Sequence, residues 1–271
     1  MPLPHRSYDD EGAGPAVILL HGYPFNRSMW REQIDFLSAH GFRAIAPDLV
    51  AQTSVCDSSA RNHRLKSMLL PTMKEMAQDV AALMDELRIE QAVICGLSMG
   101  AYVAFEFVYL FPSRVGTLVL AGARAQGPDE DEKQSREQQA RRILTEGMAF
   151  VAGAMLPRLL APRTLAEKPT VVSRVREMIL RTDPQGAAAA QRGMAARRDH
   201  SDDLADIDAP TLIIAGREDA IRKPEDAEFI RLGLRNSHLE IIDDAGHLMN
   251  MDQPEAFNRL LLSFMGEPDP A

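Results

Sequence analysis

The sequence predicts an α/β domain built on a mostly parallel, doubly wound sheet with a block of helices inserted late in the chain. Three observations carry that expectation. Short apolar runs rich in Val and Ile alternate with stretches of helical spacing. The runs are continuously apolar, as strands covered by helices on both faces are. From Arg124 to about Leu204 the strand pattern disappears, and it resumes afterwards.

In chain order, residues 16–20 (Ala-Val-Ile-Leu-Leu) form the first such strand and empty into the loop His21-Gly22-Tyr23-Pro24. Residues 29–40 carry Trp30, Ile34 and Leu37 at helical spacing, with Gly41 as C-cap. The strand at 42–46 ends at Pro47-Asp48, and the helix at 73–87 puts Met76, Val80, Leu83, Met84 and Leu87 on one face. A strand at 91–95 is followed by a helix at 101–111, stopped by Pro112, and then by a strand at 117–121. Helices are expected at 129–148, 170–181 and 185–197, separated by breaks at Pro157, Pro162, Pro169 and Pro184. Strands return at 211–215 and 239–243, and a last helix spans 254–265. The expected organisation is a core of residues 1–123 and 205–271, with 124–204 as a helical cap. Such a cap lies over the carboxyl edge of the sheet, where doubly wound folds place their sites.

At 271 residues the chain buries roughly 75% of its unfolded surface and needs no staples. A net charge of −9 argues against nucleic acid and anionic membranes as partners. Two cysteines, Cys56 and Cys95, form neither a disulfide framework nor a metal spacing, and Cys95 ends a core strand as a buried thiol. The first 14 residues are polar without an apolar signal segment, and no run approaches the ~20 residues needed to span a bilayer. A cytoplasmic enzyme is the expectation. No histidine pair at helical spacing or carboxylate cluster suggests a metal, and no Gly-rich loop opens a helix for a nucleotide, so no cofactor is expected.

The chemistry centres on Gly96-Leu97-Ser98-Met99-Gly100, between a strand and a helix. This is the nucleophile-elbow pattern. The tight turn strains the serine, and the flanking glycines let neighbouring backbone pass. Ser98 is thereby exposed at a helix N-terminus, where the Met99 N–H and the helix dipole face a developing oxyanion. A serine nucleophile needs a base, and the base an orienting acid. After Ser98, one strand opens into Gly216-Arg217-Glu218-Asp219 and another into Asp244-Ala245-Gly246-His247, so both loops leave the same sheet edge.

Residues 16–48, 73–123 and 205–265 resemble the α/β-hydrolase superfamily, and within it the esterase, enol-lactonase and cofactor-free haloperoxidase branch. His21-Gly22-Tyr23-Pro24 is similar to its His-Gly-x-Pro loop, and the elbow, acid and histidine loops follow in the family's order. The resemblance implies an α/β-hydrolase fold with Ser98 as nucleophile, His247 as general base and acid, and Asp219 as its orienter. The backbone N–H groups of Tyr23 and Met99 would form the oxyanion hole. Glu218 is the rival acid. Asp243 and Asp244 are read as loop acids, His21 as a brace for the Tyr23 loop, Tyr102 as packing, and His5, His40, His63, His200 and His238 as surface residues. The run Asp129-Glu130-Asp131-Glu132 is read as a solvated helix start. Met148, Phe150, Met155, Leu156, Leu159, Met178 and Met194 mainly pack the cap, with a few lining an acyl pocket.

Two departures from the family stand out. Only one short edge strand fits before residue 16. Residues 49–70 lack the family's Gly-rich turn and run basic through Arg61, Arg64 and Lys66, read either as an unusual specificity loop or as a frame-shifted stretch. The function expected is serine hydrolysis of a small ester, lactone or thioester, with oligomeric state left open. The alternatives are a cofactor-free perhydrolase or haloperoxidase using the same triad, and a non-catalytic ligand-binding relative.

Overall fold

The computed structural model describes residues 7–49 and 72–266. The expectations for residues 50–71, and those for His5, Cys56 and His63, lie outside that range. Strand β1 (Tyr8–Glu11) is followed by β2 (Ala16–Leu20), α1 (Arg31–Ala39), β3 (Arg43–Pro47), α2 (Met73–Glu86), β4 (Ala92–Leu97), α3 (Met99–Leu110) and β5 (Val115–Ala121). Five helices then intervene: α4 (Glu130–Glu146), α5 (Met148–Leu159), α6 (Pro162–Glu167), α7 (Pro169–Arg181) and α8 (Pro184–Ala195). The sheet resumes with β6 (Thr211–Gly216), α9 (Pro224–Gly233) and β7 (Ser237–Ile242), and the fold ends on α10 (Met249–Asp252) and α11 (Pro254–Met265).

The seven strands lie in the order β1-β3-β2-β4-β5-β6-β7. All neighbours run parallel except β1, which pairs antiparallel with β3. The chain moves outward from β2 to β3 and then returns across β2 to β4, so the topology reverses between β2 and β4. At such a switch point the loops on either side separate and leave a crevice beyond the strand ends. The loop after β2 carries Tyr23 and the loop after β4 carries Ser98, so both border that crevice.

Burial explains why the central strands hold. Val17, Ile18, Leu19, Leu20, Ile94, Cys95, Leu118, Val119, Leu120, Ile213 and Ile214 are fully buried. Each such aliphatic contributes roughly 1.5–3 kcal/mol. The edge strand β1 is fixed differently. Arg43 forks onto Asp10 at 2.8 and 2.7 Å, Arg27 reaches Asp9 at 2.9 Å, and Arg31 reaches Glu11 at 2.6 Å. Half-exposed pairs of this kind contribute about 0–1 kcal/mol each. They set the position of the edge; the apolar core supplies most of the stability.

The structure departs from the sequence expectations in several elements. Pro157 lies inside α5 and does not end a helix, and α6 forms between the breaks at Ala161 and Lys168, so five helices occupy the stretch expected to hold three. Helix α9 was not anticipated, although Pro224 at its start and Glu225 and Asp226 in its first turn are ordinary start signals. His200 is buried, against the surface expectation. Its Nδ1 lies 2.9 Å from Asp203, its ring stacks on Phe105 at 5.6 Å, and its backbone N–H donates to the Ala125 carbonyl at 3.0 Å. That last bond joins the points where the chain leaves and re-enters the sheet region. Partners 75 residues away in sequence leave no local signal.

Two glycines give opposite expectations. A Cβ on Gly100 would sit 2.1 Å from the Leu20 carbonyl oxygen, a backbone atom that cannot swing aside. Gly153, inside α5, has no atom within 4 Å of that position. Gly100→Ala is expected to lower unfolding free energy by about 1–3 kcal/mol. Gly153→Ala is expected to raise it by up to about 1 kcal/mol through helix propensity. Urea unfolding of the two variants beside the parent checks both signs.

Candidate active site

The elbow forms because two glycines permit an approach that no side chain allows. A Cβ on Gly96 would lie 2.3 Å from the Gly100 carbonyl oxygen, and one on Gly100 would strike Leu20. Between them Ser98 takes φ 56°, ψ −110°, a left-handed conformation rare for a residue with a side chain. Its N–H donates to the Ala121 carbonyl at 2.9 Å, so the strained turn is tied to the end of β5. Ser98 is half-buried at the start of α3.

His247 is delivered by the loop after β7 and Asp219 by the loop after β6. Their side chains meet in the interior, His247 Nδ1 to Asp219 Oδ2 at 2.7 Å, with 2% and none of the two side chains exposed. Asp219 Oδ1 accepts from the backbone N–H groups of Ile221 (2.7 Å) and Arg222 (2.8 Å). A carboxylate that accepts on both oxygens is well satisfied. The contact fixes the imidazole ring through Nδ1 and leaves Nε2 free of the carboxylate. Glu218, the rival acid, is exposed, and Asp243 and Asp244 turn outward to Arg217 and Arg163.

His247 and Ser98 flank the same short segment. Ser98 is bonded to Ala121, and a Cβ on the next residue, Gly122 (φ 53°), would lie 3.1 Å from His247 Cε1. No hydrogen bond joins the Ser98 hydroxyl to the imidazole. Such bonds are commonly long in unliganded sites and tighten when substrate arrives.

The loop carrying Tyr23 is pinned from below. The Leu49 N–H donates to His21 Nε2 at 2.9 Å, so Nε2 is the unprotonated nitrogen and Nδ1 carries the proton toward the Gly22 carbonyl at 3.0 Å. Burial holds this imidazole's pKa below the usual range, so it stays neutral. Phe25 N–H closes the turn onto the Gly22 carbonyl at 3.0 Å. The backbone N–H groups of Tyr23 and Met99 have no acceptor among the described residues.

Asp252 has a positioning role that the sequence reading missed. Its Oδ2 accepts from the Gly246 N–H at 2.7 Å and the Ala161 N–H at 3.1 Å, fixing the His247 loop to the end of α5. Leu248 N–H adds a bond to the Leu159 carbonyl at 2.9 Å. Desolvation nevertheless raises the Asp252 pKa. Asn250 locks the other side, donating to Met29 O and Gln33 Oε1 at 3.2 and 3.1 Å. An Asp five residues after the histidine was the available signal. The Cys95 thiol is fully buried and its pKa is pushed far up by desolvation, which leaves it inert.

Comparisons with known proteins bear on the fold and the family. The chain is 37% identical to a thermophilic esterase from Thermogutta terrifontis, with a TM-score of 0.88 over 96% of this chain and 92% of that one. An enol-lactonase structure from Burkholderia xenovorans gives 26% identity and a TM-score of 0.84 over 96% of each chain. The 3-oxoadipate enol-lactonase 2 of Acinetobacter baylyi is 27% identical over 93% of this chain and 88% of its own length. Residues 17–260 match the family description "Alpha/beta hydrolase family". On a match that spans both halves of the sheet and the helices between them, the chain belongs to the alpha/beta hydrolase family.

Proposed function

We propose that the protein is a cofactor-independent serine hydrolase that cleaves a small carboxylic ester, lactone or thioester through an acyl-enzyme on Ser98. The observation that carries the reading is the fully buried Asp219–His247 pair at 2.7 Å, standing against Gly122 beside the strained elbow. Titratable pairs are seldom sealed from water by chance, and a strained serine next to one is what nucleophilic catalysis requires. The helical block 124–204 is read as a cap over this edge, and the named esterase and enol-lactonases lend the substrate class.

In the proposed cycle the Ser98 hydroxyl loses its proton to His247 Nε2 as Oγ attacks the carbonyl carbon. The carbonyl oxygen becomes an oxyanion against the Tyr23 and Met99 N–H groups, at the positive end of α3. Each such donor contributes roughly 2.7–4 kcal/mol to the barrier reduction. His247 then passes the proton to the leaving oxygen or sulfur, and the acyl group stays on Ser98. Water enters, gives a proton to His247 and attacks the acyl carbon. Ser98 takes that proton back as the acid leaves. Asp219 stays ionised throughout and stabilises the imidazolium.

Ser98→Ala is expected to lower turnover of a p-nitrophenyl ester by roughly 10⁶-fold while leaving circular dichroism and melting temperature unchanged. A variant that turns over at the parent rate overturns the mechanism. A fluorophosphonate probe, followed by peptide mass spectrometry, is expected to label Ser98 in the parent. Asp219→Asn should cost roughly 10⁴-fold in kcat through the wrong imidazole tautomer. Glu218→Gln, measured alongside, should stay close to the parent; the reverse ranking would transfer the orienting role to Glu218.

A further inference from the structure

Between the sheet and the inserted helices lies a cluster of arginines that the catalytic cycle does not use. Among the described residues, Arg124, Arg136, Arg197 and Arg222 reach only two carboxylates within 4 Å, Glu132 and Asp226. Glu132 was expected to be solvated; instead it turns inward, and its neighbours hold its pKa at about 2. It is taken up by Arg197, at 2.8 and 3.1 Å, and by Arg136, at 2.9 and 2.8 Å. Arg222 and Arg124 are left without a hydrogen-bonded carboxylate. Arg222 stands 3.9 Å from Glu132, and its short bond is to a phenol oxygen, Tyr102 Oη at 2.5 Å. Arg124 stands 3.9 Å from Glu132 and 3.7 Å from Asp226. The Nε atoms of Arg124, Arg197 and Arg222 are buried and unpartnered.

A second, independent observation comes from the other side of the crevice. The Tyr23 hydroxyl is buried with no well-formed hydrogen bond, beside Arg136 and Gln191. Gln191 is already engaged by Arg136 at 3.0 Å and Gln139 at 3.2 Å. Burial pushes this phenol up to about 12, so it remains a donor near neutral pH. Burial also pulls the Arg136 guanidinium below its usual range, even with Glu132 in contact.

The cluster touches the loops of the catalytic residues. Tyr23 sits in the loop whose N–H faces the oxyanion position. Tyr102 is one helical turn after Ser98, on the same face of α3. The backbone of Arg222 holds Asp219. The site is not sealed, since 13% of the Arg222 side chain and 20% of that of Glu132 remain exposed. Excess buried positive charge with an idle donor beside it is costly unless an anion completes it.

We propose that the Tyr23 hydroxyl, Arg136 and Arg222 bind a free carboxylate of the substrate, so that the ester, lactone or thioester cleaved carries a second acid group. The inference rests on the hydrolase reading for its substrate and on the cluster for its charge. The test compares mono-(p-nitrophenyl) adipate with p-nitrophenyl hexanoate, which place the carboxylate in the acyl part. It also compares 4-carboxyphenyl hexanoate with phenyl hexanoate, which place it in the leaving group. One charged ester is expected to exceed its neutral partner in kcat/KM by on the order of 100-fold, mostly through KM, and the pair that does so identifies the end recognised. Arg222→Gln should collapse that ratio, Arg222→Lys should restore part of it, and Tyr23→Phe, which keeps the backbone donor, should lower it about tenfold. Parity or a neutral preference in both pairs, or a ratio unchanged in Arg222→Gln, overturns the proposal. Binding of adipic acid monoamide and of neutral hexanamide to the parent and to Arg222→Gln, read by calorimetry, separates the two readings. If no ester is cleaved, the hydrolase reading fails, and selective binding of the monoamide, lost in Arg222→Gln, still supports the carboxylate site. Equal binding of the two amides overturns it.

Discussion

The close passage of backbone at Gly96 and Gly100 is the constraint on which the rest of this molecule depends. The carbonyls of Gly100 and Leu20 occupy the places where Cβ atoms would otherwise stand, at 2.3 and 2.1 Å. Strand β4 can therefore turn into α3 within one residue, and that residue, Ser98, carries the strain. A strained conformation costs about 1–3 kcal/mol and persists only when its surroundings leave no alternative. Here the surroundings are the largely buried strands β2, β4 and β5, whose apolar burial exceeds that cost several times over. The rigidity of the sheet thus holds the half-buried serine at a helix N-terminus.

The polar parts of the site are held by the same economy of satisfied groups. Asp219 spends one oxygen on two backbone donors and the other on His247. Asp252 spends one oxygen on the His247 loop and on the end of α5. His21 spends both ring nitrogens on backbone. Asp219 and His21 each tie together two loops that leave different strands, and Asp252 ties such a loop to the segment after α5, so none of these segments can shift without orphaning a buried group. In this way residues scattered from position 21 to 252 are held by bonds that run between separate segments of the chain.

The arginines around Glu132 break that pattern. Among the described residues they form a region in which positive charge outruns its hydrogen-bonded carboxylates and a buried hydroxyl lies idle. A cluster serving only to clasp the helical block to the sheet would be neutralised as fully as Asp219 is. Its deficit faces the catalytic loops, which is why it is read as a binding feature and the well-paired surface arginines such as Arg43 are not.

Much of this was legible in the sequence, for a physical reason. Continuous apolar runs mark strands buried on both faces, and Gly-x-Ser-x-Gly marks a turn whose steric requirements are local. Strand positions, the elbow and the chain order of the four loops follow from interactions within a few residues. Which carboxylate meets His247 was open between Asp219 and Glu218, because two adjacent residues differ only in the direction their side chains take once β6 and β7 pair. The burial of His200 against Phe105 and Ala125, the inward turn of Glu132 and the bracing by Asp252 each depend on partners tens of residues away. Local pattern determined the strands and the turn chemistry; only the packing of helices on the sheet decided which charged groups were taken out of water, because desolvation is a property of the assembled neighbourhood.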